Sequence, residues 1–206
     1  MATHSGARAG ERGMVGRIEA ARGQVTVVRI GVLKPIEVEG GLPAFKVYIG
    51  DRITAEADGY ARISLDDGSF VNLGKDAALS IIQYIYEPDA KRLKVYVKAL
   101  KGRARYIQFE RMAPGSAFTV ESPTALLSAS AADFVVDASD EKTQVTVLAG
   151  AVIVRNSNSF TVGSETLRMN RKTTVAKKTP PSSPASLGPD DRKELIRELS
   201  LLNSLR

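Results

Sequence analysis

Short runs of alternating apolar and polar residues, each ending at a cluster of Gly, Asp, Asn or Pro, extend from residue 14 to about residue 175. No stretch in this region longer than about ten residues has the apolar period of a helix. Alternation of this kind places successive side chains on opposite faces of a strand. The sequence therefore predicts an all-β body, either an antiparallel sandwich or a β-helical roll of many short strands.

The clearest turn lies at Asp66-Asp67-Gly68-Ser69, between the apolar runs 61–65 and 70–73. Gly tolerates positive φ and an Asp side chain can bond to the turn backbone, so this segment predicts a hairpin. The other predicted strands follow at similar spacing and cover residues 15–20, 24–30, 33–39, 46–49, 78–86, 92–100, 103–110, 118–121, 125–128, 134–137, 144–148, 151–155, 160–162, 167–170 and 173–175.

The side chains best suited to nucleophiles and metal sites are almost absent. The chain has no Cys, and its one histidine, His4, lies in an N-terminal segment, residues 1–13, that we expect to be flexible. Ser-His-Asp and Cys-His arrangements and structural zinc sites all need these side chains. We therefore predict a protein that is not an enzyme, with no catalytic residue, cofactor or metal. The alternative is a carboxylate-based enzyme or calcium binder at Asp66 and Asp67, although a carboxylate beside a turn glycine usually has a structural role.

Neither a secretory signal nor a membrane span is predicted for this sequence. Residues 1–13 contain no apolar core of the kind that signal peptides have, and no segment approaches about 18 consecutive apolar residues. The lack of Cys leaves the compartment open, because a reducing cytosol and a disulfide-free envelope protein are both compatible with it.

One segment carries the excess positive charge. Residues 91–111 contain eight Lys or Arg residues and one acid, Glu110, whereas the whole chain has a net charge of +6. We predict a β-hairpin here, with a turn near Gly102 and its cations on one face. The predicted contact residues are Arg92, Lys94, Tyr96, Lys98, Lys101, Arg103 and Arg105.

Three interpretations of this basic segment stay open. It is a solvated face that resists aggregation, a contact for an acidic protein or an anionic envelope polymer, or a nucleic-acid site. The last is disfavoured, because no recognition helix or aromatic RNA-binding pair accompanies the charge.

The C-terminal part of the chain has a different composition. Residues 177–188 are rich in Pro and Ser and predict an extended linker. Pro189 and the acids after it predict the start of an amphipathic helix over residues 189–206. This helix either packs on its own β domain or docks on a partner or a second copy, because so short a helix is marginal alone in water. Its apolar face consists of Leu195, Ile196, Leu199, Leu202 and Leu205.

Six segments of the chain occur in a fixed order of turns and strands. They are Gly23 with the Val-rich run after it, Gly50-Asp51 with Thr54, Leu65-Asp66-Asp67-Gly68-Ser69 with Leu73, Phe118 to Ala125, Phe134-Val135-Val136, and the hairpin 143–154 with Gly150 at its turn. This order resembles the FecR domain, the periplasmic module of iron-dicitrate-type sensors and of many other envelope proteins. The resemblance covers roughly residues 23–175.

The resemblance implies a bacterial cell-envelope module, periplasmic and non-enzymatic, that is used for protein contacts. It also leads us to expect that an export signal has been trimmed and Met1 added. Two departures limit what carries over. The Arg-Gly-Thr tripeptide that the family commonly places before its Phe-x-Val strand is replaced by Ser-Ala-Ser-Ala-Ala-Asp at residues 128–133. The sensors carry an anti-sigma segment and a transmembrane helix ahead of this domain. We expect neither from this sequence, so sigma-factor regulation is not carried over.

The leading hypothesis is therefore a single FecR-like all-β domain, residues 14–176, that acts as a scaffold or protein-interaction module, alone or in a larger assembly. Its contact surfaces would be the basic hairpin and the C-terminal helix. The alternative is a polyanion-binding protein that uses Lys94, Lys98, Arg103 and Arg105.

Overall fold

The computed structural model of the protein describes residues 13–38, 44–108 and 110–200. These residues form an all-β body with a short C-terminal helix, which confirms the predicted fold class. The strands are β1 (Met14–Arg22), β2 (Val25–Val28), β3 (Ile36–Glu37), β4 (Phe45–Tyr48), β5 (Arg52–Ala55), β6 (Tyr60–Leu65), β7 (Phe70–Leu73), β8 (Ala77–Glu87), β9 (Arg92–Ile107), β10 (Ala117–Glu121), β11 (Ala125–Ala129), β12 (Asp133–Ala138), β13 (Lys142–Ala149), β14 (Ala151–Asn156), β15 (Ser164–Arg168), β16 (Arg171–Ala176) and β17 (Ala185–Ser186), and the helix is α1 (Pro189–Leu199).

The strands form two sheets that share β9. Sheet 1 has the order β4-β1-β6-β7-β9-β12-β13-β16-β17. Sheet 2 has the order β3-β2-β5-β8-β9-β10-β11-β14-β15. The first part of β9 belongs to sheet 2 and the last part to sheet 1, so one hydrogen-bonded surface runs through both. Among the described pairings, only β9 with β10 is parallel.

The two sheets face each other across one apolar core. Alternate residues of each strand are buried, as the sequence alternation predicts. At the centre, the ring of Tyr106 from sheet 1 meets Phe118 from sheet 2 edge to face at 6.2 Å between centroids, and stacks on Phe134 at 5.3 Å. The two sheets therefore pack face to face on one core, as in a β-sandwich.

The predicted basic hairpin is wrong, because β9 is one continuous strand through Gly102. Gly102 has φ +74°, and a side chain there would collide with the backbone of Asp76 and Ala77 at 2.6 Å. This glycine therefore lets the strand change sheets under close packing instead of reversing its direction. A glycine between two alternating runs is compatible with either outcome, and only the long-range pairing decides between them.

Two further strand predictions need correction. Residues 160–162 form the end of a turn and irregular backbone instead of a strand, and both Phe160 and Val162 are exposed. The structure also contains strand β5, at Arg52–Ala55, which is not among the predicted strands. The Asp66–Ser69 hairpin turn is confirmed, with Gly68 at φ +81° between β6 and β7.

Helix α1 packs on the outer face of sheet 1. Asp190 and Asp191 lie in its first turn, where carboxylates stabilise the positive end of the helix dipole. The described part of the chain contains no helix with the length and apolarity needed to cross a membrane.

The Pro/Ser-rich segment before the helix is attached to the domain, which differs from the solvated linker that composition predicts. Ser182 donates its backbone N–H to the carbonyl of Thr174 at 2.9 Å, and β17 pairs with β16. Pro181 and Leu187 are buried. Of the predicted flexible segment 1–13, only Gly13 lies within the described residues.

Candidate functional site: the outer face of sheet 2

The seven predicted contact residues all lie on β9, but the change of sheets divides them between two environments. Arg103 and Arg105 lie on the outer face of sheet 1, beneath α1. The other five lie at or before Lys101, in the part of β9 that pairs with β8 and β10 of sheet 2.

The two arginines of sheet 1 are held by carboxylates. Arg103 forms ion pairs with Asp137 at 2.7 Å and with Glu198 of α1 at 2.6 Å. Burial alone would lower the pKa of Arg103, but its hydrogen bond to Asp137 and the two nearby carboxylates raise the pKa above its usual value. Arg105 pairs with Asp133 at 2.7 Å. These charges are therefore used to attach the helix and to link β9 to β12.

On sheet 2 the situation is different. Arg92 pairs with Glu87 at 3.1 Å at the end of the β8–β9 hairpin, and the hydroxyl of Tyr96 donates a hydrogen bond to Glu121. Lys94 and Lys98 are exposed and form no ion pair with any residue that the structure describes. Lys101 is exposed at the bend beside Gly102.

Cross-strand register extends the two lysines into a wider surface. Arg52 lies on the same row as Lys98, two strands away, or about 10 Å. Arg155 lies on that row three strands away on the other side, or about 14 Å. Arg168 lies at the far edge of the sheet, near the row of Lys94. We call Arg52, Lys94, Lys98, Arg155 and Arg168 the basic face.

All five side chains of the basic face are exposed, and across residues 13–38, 44–108 and 110–200 none of them has an ion-pair partner. Two of the acids on this surface, Glu87 and Glu121, already bind Arg92 and Tyr96. A third, Glu37, lies at the opposite edge on β3. An excess of unpaired positive charge on one face attracts acidic groups and speeds their association.

A row of hydroxyl groups lies between the cations. Along the row of Tyr96 lie the outward side chains of Thr119, Ser128 and Thr166, with Ile153 between the last two. These hydroxyl groups can donate or accept hydrogen bonds, and Ile153 is about half exposed. A surface of cations around hydroxyls can bind carboxylates both by charge and by hydrogen bonds.

Sequence reasoning found Lys94 and Lys98 but missed Arg52, Arg155 and Arg168. These three residues are far apart in the chain and come together only through the strand register. The one local signal that these arginines face outward is that each occupies a polar position in a strand of alternating apolar and polar residues.

Of the predicted partner-helix residues, Leu195, Ile196 and Leu199 pack on the domain itself, in a small cluster with Val135 and Leu148. The side-chain amide of Asn72 also donates to the carbonyl of Leu199 at 2.9 Å. Of the two alternatives for this helix, the structure has the one in which it covers its own β domain. The remaining members of the predicted face, Leu202 and Leu205, lie outside the described residues.

The alternative catalytic or calcium role of the Asp66–Asp67 turn finds no support in its geometry. Asp67 accepts hydrogen bonds from Ser69 on one carboxylate oxygen and from Tyr84 on the other, at 3.0 Å for the latter. Both oxygens therefore stabilise the turn. Within the described ranges, no group of three or more His, Cys, Asp or Glu residues could hold a metal ion.

The sequence model of a family described as FecR protein matches residues 51–153, half of the 206-residue chain. This match spans strands β5 to β13 and includes Lys94 and Lys98. No curated protein matches the chain.

Two crystal structures of a candidate anti-sigma factor from Parabacteroides distasonis, at 1.65 and 2.50 Å resolution, have a similar fold. Their TM-scores are 0.50 and 0.51, and each is 22% identical to this chain over 66% of its length. The aligned region spans 59% of the length of those proteins. At this level of identity, the similarity concerns the fold alone.

Proposed function

The chain belongs to the FecR family, and from this premise we propose that it is a non-enzymatic protein-interaction module whose basic face binds an acidic protein partner in the bacterial cell envelope. FecR proteins are regulatory and envelope-associated, and regulation of this kind works through contacts between proteins. The proposal places the chain in such a setting as a scaffold or recognition surface.

The observation that carries the proposal is the contrast between the two ends of β9. Arg103 and Arg105 at one end are neutralised by carboxylates of the same domain, whereas Lys94 and Lys98 at the other end have no described ion-pair partner. Exposed unpaired cations from four different strands repel one another, which a partner with carboxylates would relieve.

A protein as the partner is in keeping with the regulatory character of the FecR family. The description of the two structural relatives as a candidate anti-sigma factor agrees with it, although their similarity to this chain concerns the fold. A second candidate function, binding of an anionic polymer, rests on the same unpaired cations, and the experiment separates the two.

The experiment compares the chain with a triple variant, Lys94→Glu, Lys98→Glu and Arg155→Glu, in cross-linking and mass spectrometry on a native envelope fraction. These side chains are exposed, so the variant is expected to keep its fold. We expect one defined acidic protein to be cross-linked by the parent chain. In a binding measurement with purified proteins, the triple variant should bind this partner about tenfold or more weakly than the parent chain does.

The matched control reverses three exposed cations elsewhere, Arg17→Glu, Arg22→Glu and Lys178→Glu, which gives the same change in net charge. It should bind the partner nearly as well as the parent. Equal loss in both variants would show that net charge alone matters. Recovery of only polymer or nucleic acid, released by moderate salt, would favour the second candidate instead.

A further inference from the structure

The loop that follows β2 exposes a group of aliphatic side chains. Val28, Ile30, Val32 and Leu33 have 44%, 62%, 44% and 102% of their surface exposed. Single exposed apolar residues are ordinary on a protein surface, but here four exposed aliphatic side chains lie within six positions of one loop. None of the residues that the structure describes covers these side chains, so an apolar environment from elsewhere would bury them.

The loop is held in this shape by its base. Arg29 donates to both carboxylate oxygens of Asp51, at 2.7 Å for the shortest contact, and to the carbonyl of Lys46 at 2.9 Å. Its guanidinium also lies over the rings of Phe45 and Tyr48. The hydrogen bond to Asp51, which is almost fully buried, raises the pKa of Arg29 above its usual value.

The tip of the loop is a tight turn. The backbone N–H of Val32 donates to the carbonyl of Arg29 at 3.0 Å, and Gly31 adopts φ +88° between them. The turn therefore holds the side chains of Ile30 and Leu33 away from the body of the domain. A preorganised apolar tip binds without a further ordering cost.

Cations surround this tip. Lys34 follows it directly, Arg52 lies opposite Val28 in the β2–β5 register, and the exposed Lys46 adjoins the Arg29 clamp. Among the residues that the structure describes, the acid within the loop base is Asp51, which is occupied by Arg29. Glu37 lies further along, beside Thr26.

We propose that the 28–34 loop inserts its aliphatic tip into an anionic lipid surface, with Lys34, Lys46 and Arg52 at the level of the headgroups. A lipid surface suits a convex tip, because acyl chains adapt to any shape, whereas a protein would have to offer a matching pocket. The tip also has no aromatic residue or free arginine, the side chains that anchor most protein interfaces. Long cationic side chains reach the headgroups while apolar neighbours enter the acyl boundary.

This contact shares Arg52 with the basic face, but its aliphatic tip and Lys34 lie outside that face. It would hold the domain against a membrane through residues 28–34, which the protein-binding test leaves unchanged. Failure of one proposal therefore does not decide the other.

The absence of Trp from the chain allows a direct test of insertion. We would introduce a single reporter as Leu33→Trp and record its emission with vesicles of phosphatidylcholine alone and of phosphatidylcholine with an equal amount of phosphatidylglycerol. We expect a blue shift with the anionic vesicles and little with the neutral ones. The matched control is Phe160→Trp, because Phe160 is 92% exposed, close to the value for Leu33, and lies on a different loop. Its emission should not shift.

Co-sedimentation with the same anionic vesicles then compares the parent with Ile30→Ser plus Leu33→Ser, which should lower the partition coefficient about tenfold or more. Lys34→Glu should weaken binding to anionic vesicles and leave the weak binding to neutral ones unchanged. The proposal is overturned if the parent does not sediment, or if it sediments without a Leu33→Trp shift, which would indicate charge attraction through the basic face alone. Equal shifts from Leu33→Trp and Phe160→Trp would also overturn the assignment to this loop.

Discussion

Tyr106 is the most unusual single residue of the core. Its ring is fully buried between Phe118 and Phe134, and its hydroxyl has no hydrogen-bond partner among the described residues. Burial raises the pKa of Tyr106 above its ordinary value. A buried hydroxyl without a partner costs free energy, since it loses its hydrogen bonds to water on folding.

We therefore predict that Tyr106→Phe raises the free energy of unfolding by about 1 kcal/mol, because the phenyl ring keeps the packing and removes the unpaired group. Urea denaturation at neutral pH measures this. Tyr84→Phe is the comparison, because the Tyr84 hydroxyl donates to Asp67 at 3.0 Å and its removal should destabilise the protein. A loss of stability in Tyr106→Phe would mean that a buried partner, such as a water molecule, satisfies the hydroxyl.

The same variant has a pH signature. Because burial raises the folded-state pKa of Tyr106, its hydroxyl stays neutral in the folded protein at a pH where the unfolded chain already ionises. The parent protein therefore keeps its full stability below the unfolded-state pKa of about 10 and loses stability as pH rises above it. Phenylalanine cannot ionise. The stability advantage of Tyr106→Phe over the parent should therefore widen above about pH 10, as denaturation at alkaline pH would show.

At the scale of elements, α1 is attached by a small set of contacts. Leu199 is almost fully buried in the cluster with Val135 and Leu148, and Glu198 pairs with Arg103. The helix has 11 residues and would be marginal alone, so its stability depends on this docking.

We predict that Leu199→Ala lowers the free energy of unfolding by about 2 kcal/mol, at the low end for a buried leucine because the cluster lies at the surface of the sandwich. Lys193→Ala, on the exposed side of the same helix, should change it by less than about 0.5 kcal/mol. Thermal or urea unfolding of both variants gives the comparison. Equal effects would contradict a docked helix.

How far the sequence predicts these elements depends on the range of the interaction. The Asp66–Ser69 turn is local, and the sequence predicted it correctly. Burial alternation along β9 also placed Lys94 and Lys98 on the outside. The ion pairs of Arg103 and Arg105 reach Asp137 and Asp133, 34 and 28 residues away, and no local pattern contains them. The basic face as a whole depends on strand register, which is why the sequence revealed only part of it.

At the scale of the molecule, the sandwich has two different outer faces. On sheet 1, Arg103 and Arg105 are paired with carboxylates and α1 covers part of the face. Sheet 2 carries the basic face, and no described helix covers it. The two sheets also share β9 and one continuous core. Each sheet therefore needs β9 to complete its ladder of backbone hydrogen bonds.

We therefore predict that the two sheets unfold as one cooperative unit. Native-state hydrogen exchange should give the same opening free energy for the slowest amides of β8 in sheet 2 and of β12 in sheet 1, the neighbours of β9. Both values should fall together on adding urea. Two distinct plateaus would show that the sheets open separately and would contradict a shared unit.

The unbroken course of β9 has a mechanical consequence. Lys98 on the open face and Arg103 beneath α1 are separated by five positions of a single strand. A partner that pulls on the lysines would load the same segment of backbone that the helix holds on the opposite side. A force between the two surfaces would therefore be carried by the covalent backbone of β9. The hydrogen bonds to the neighbouring strands would resist movement of β9 along its own axis.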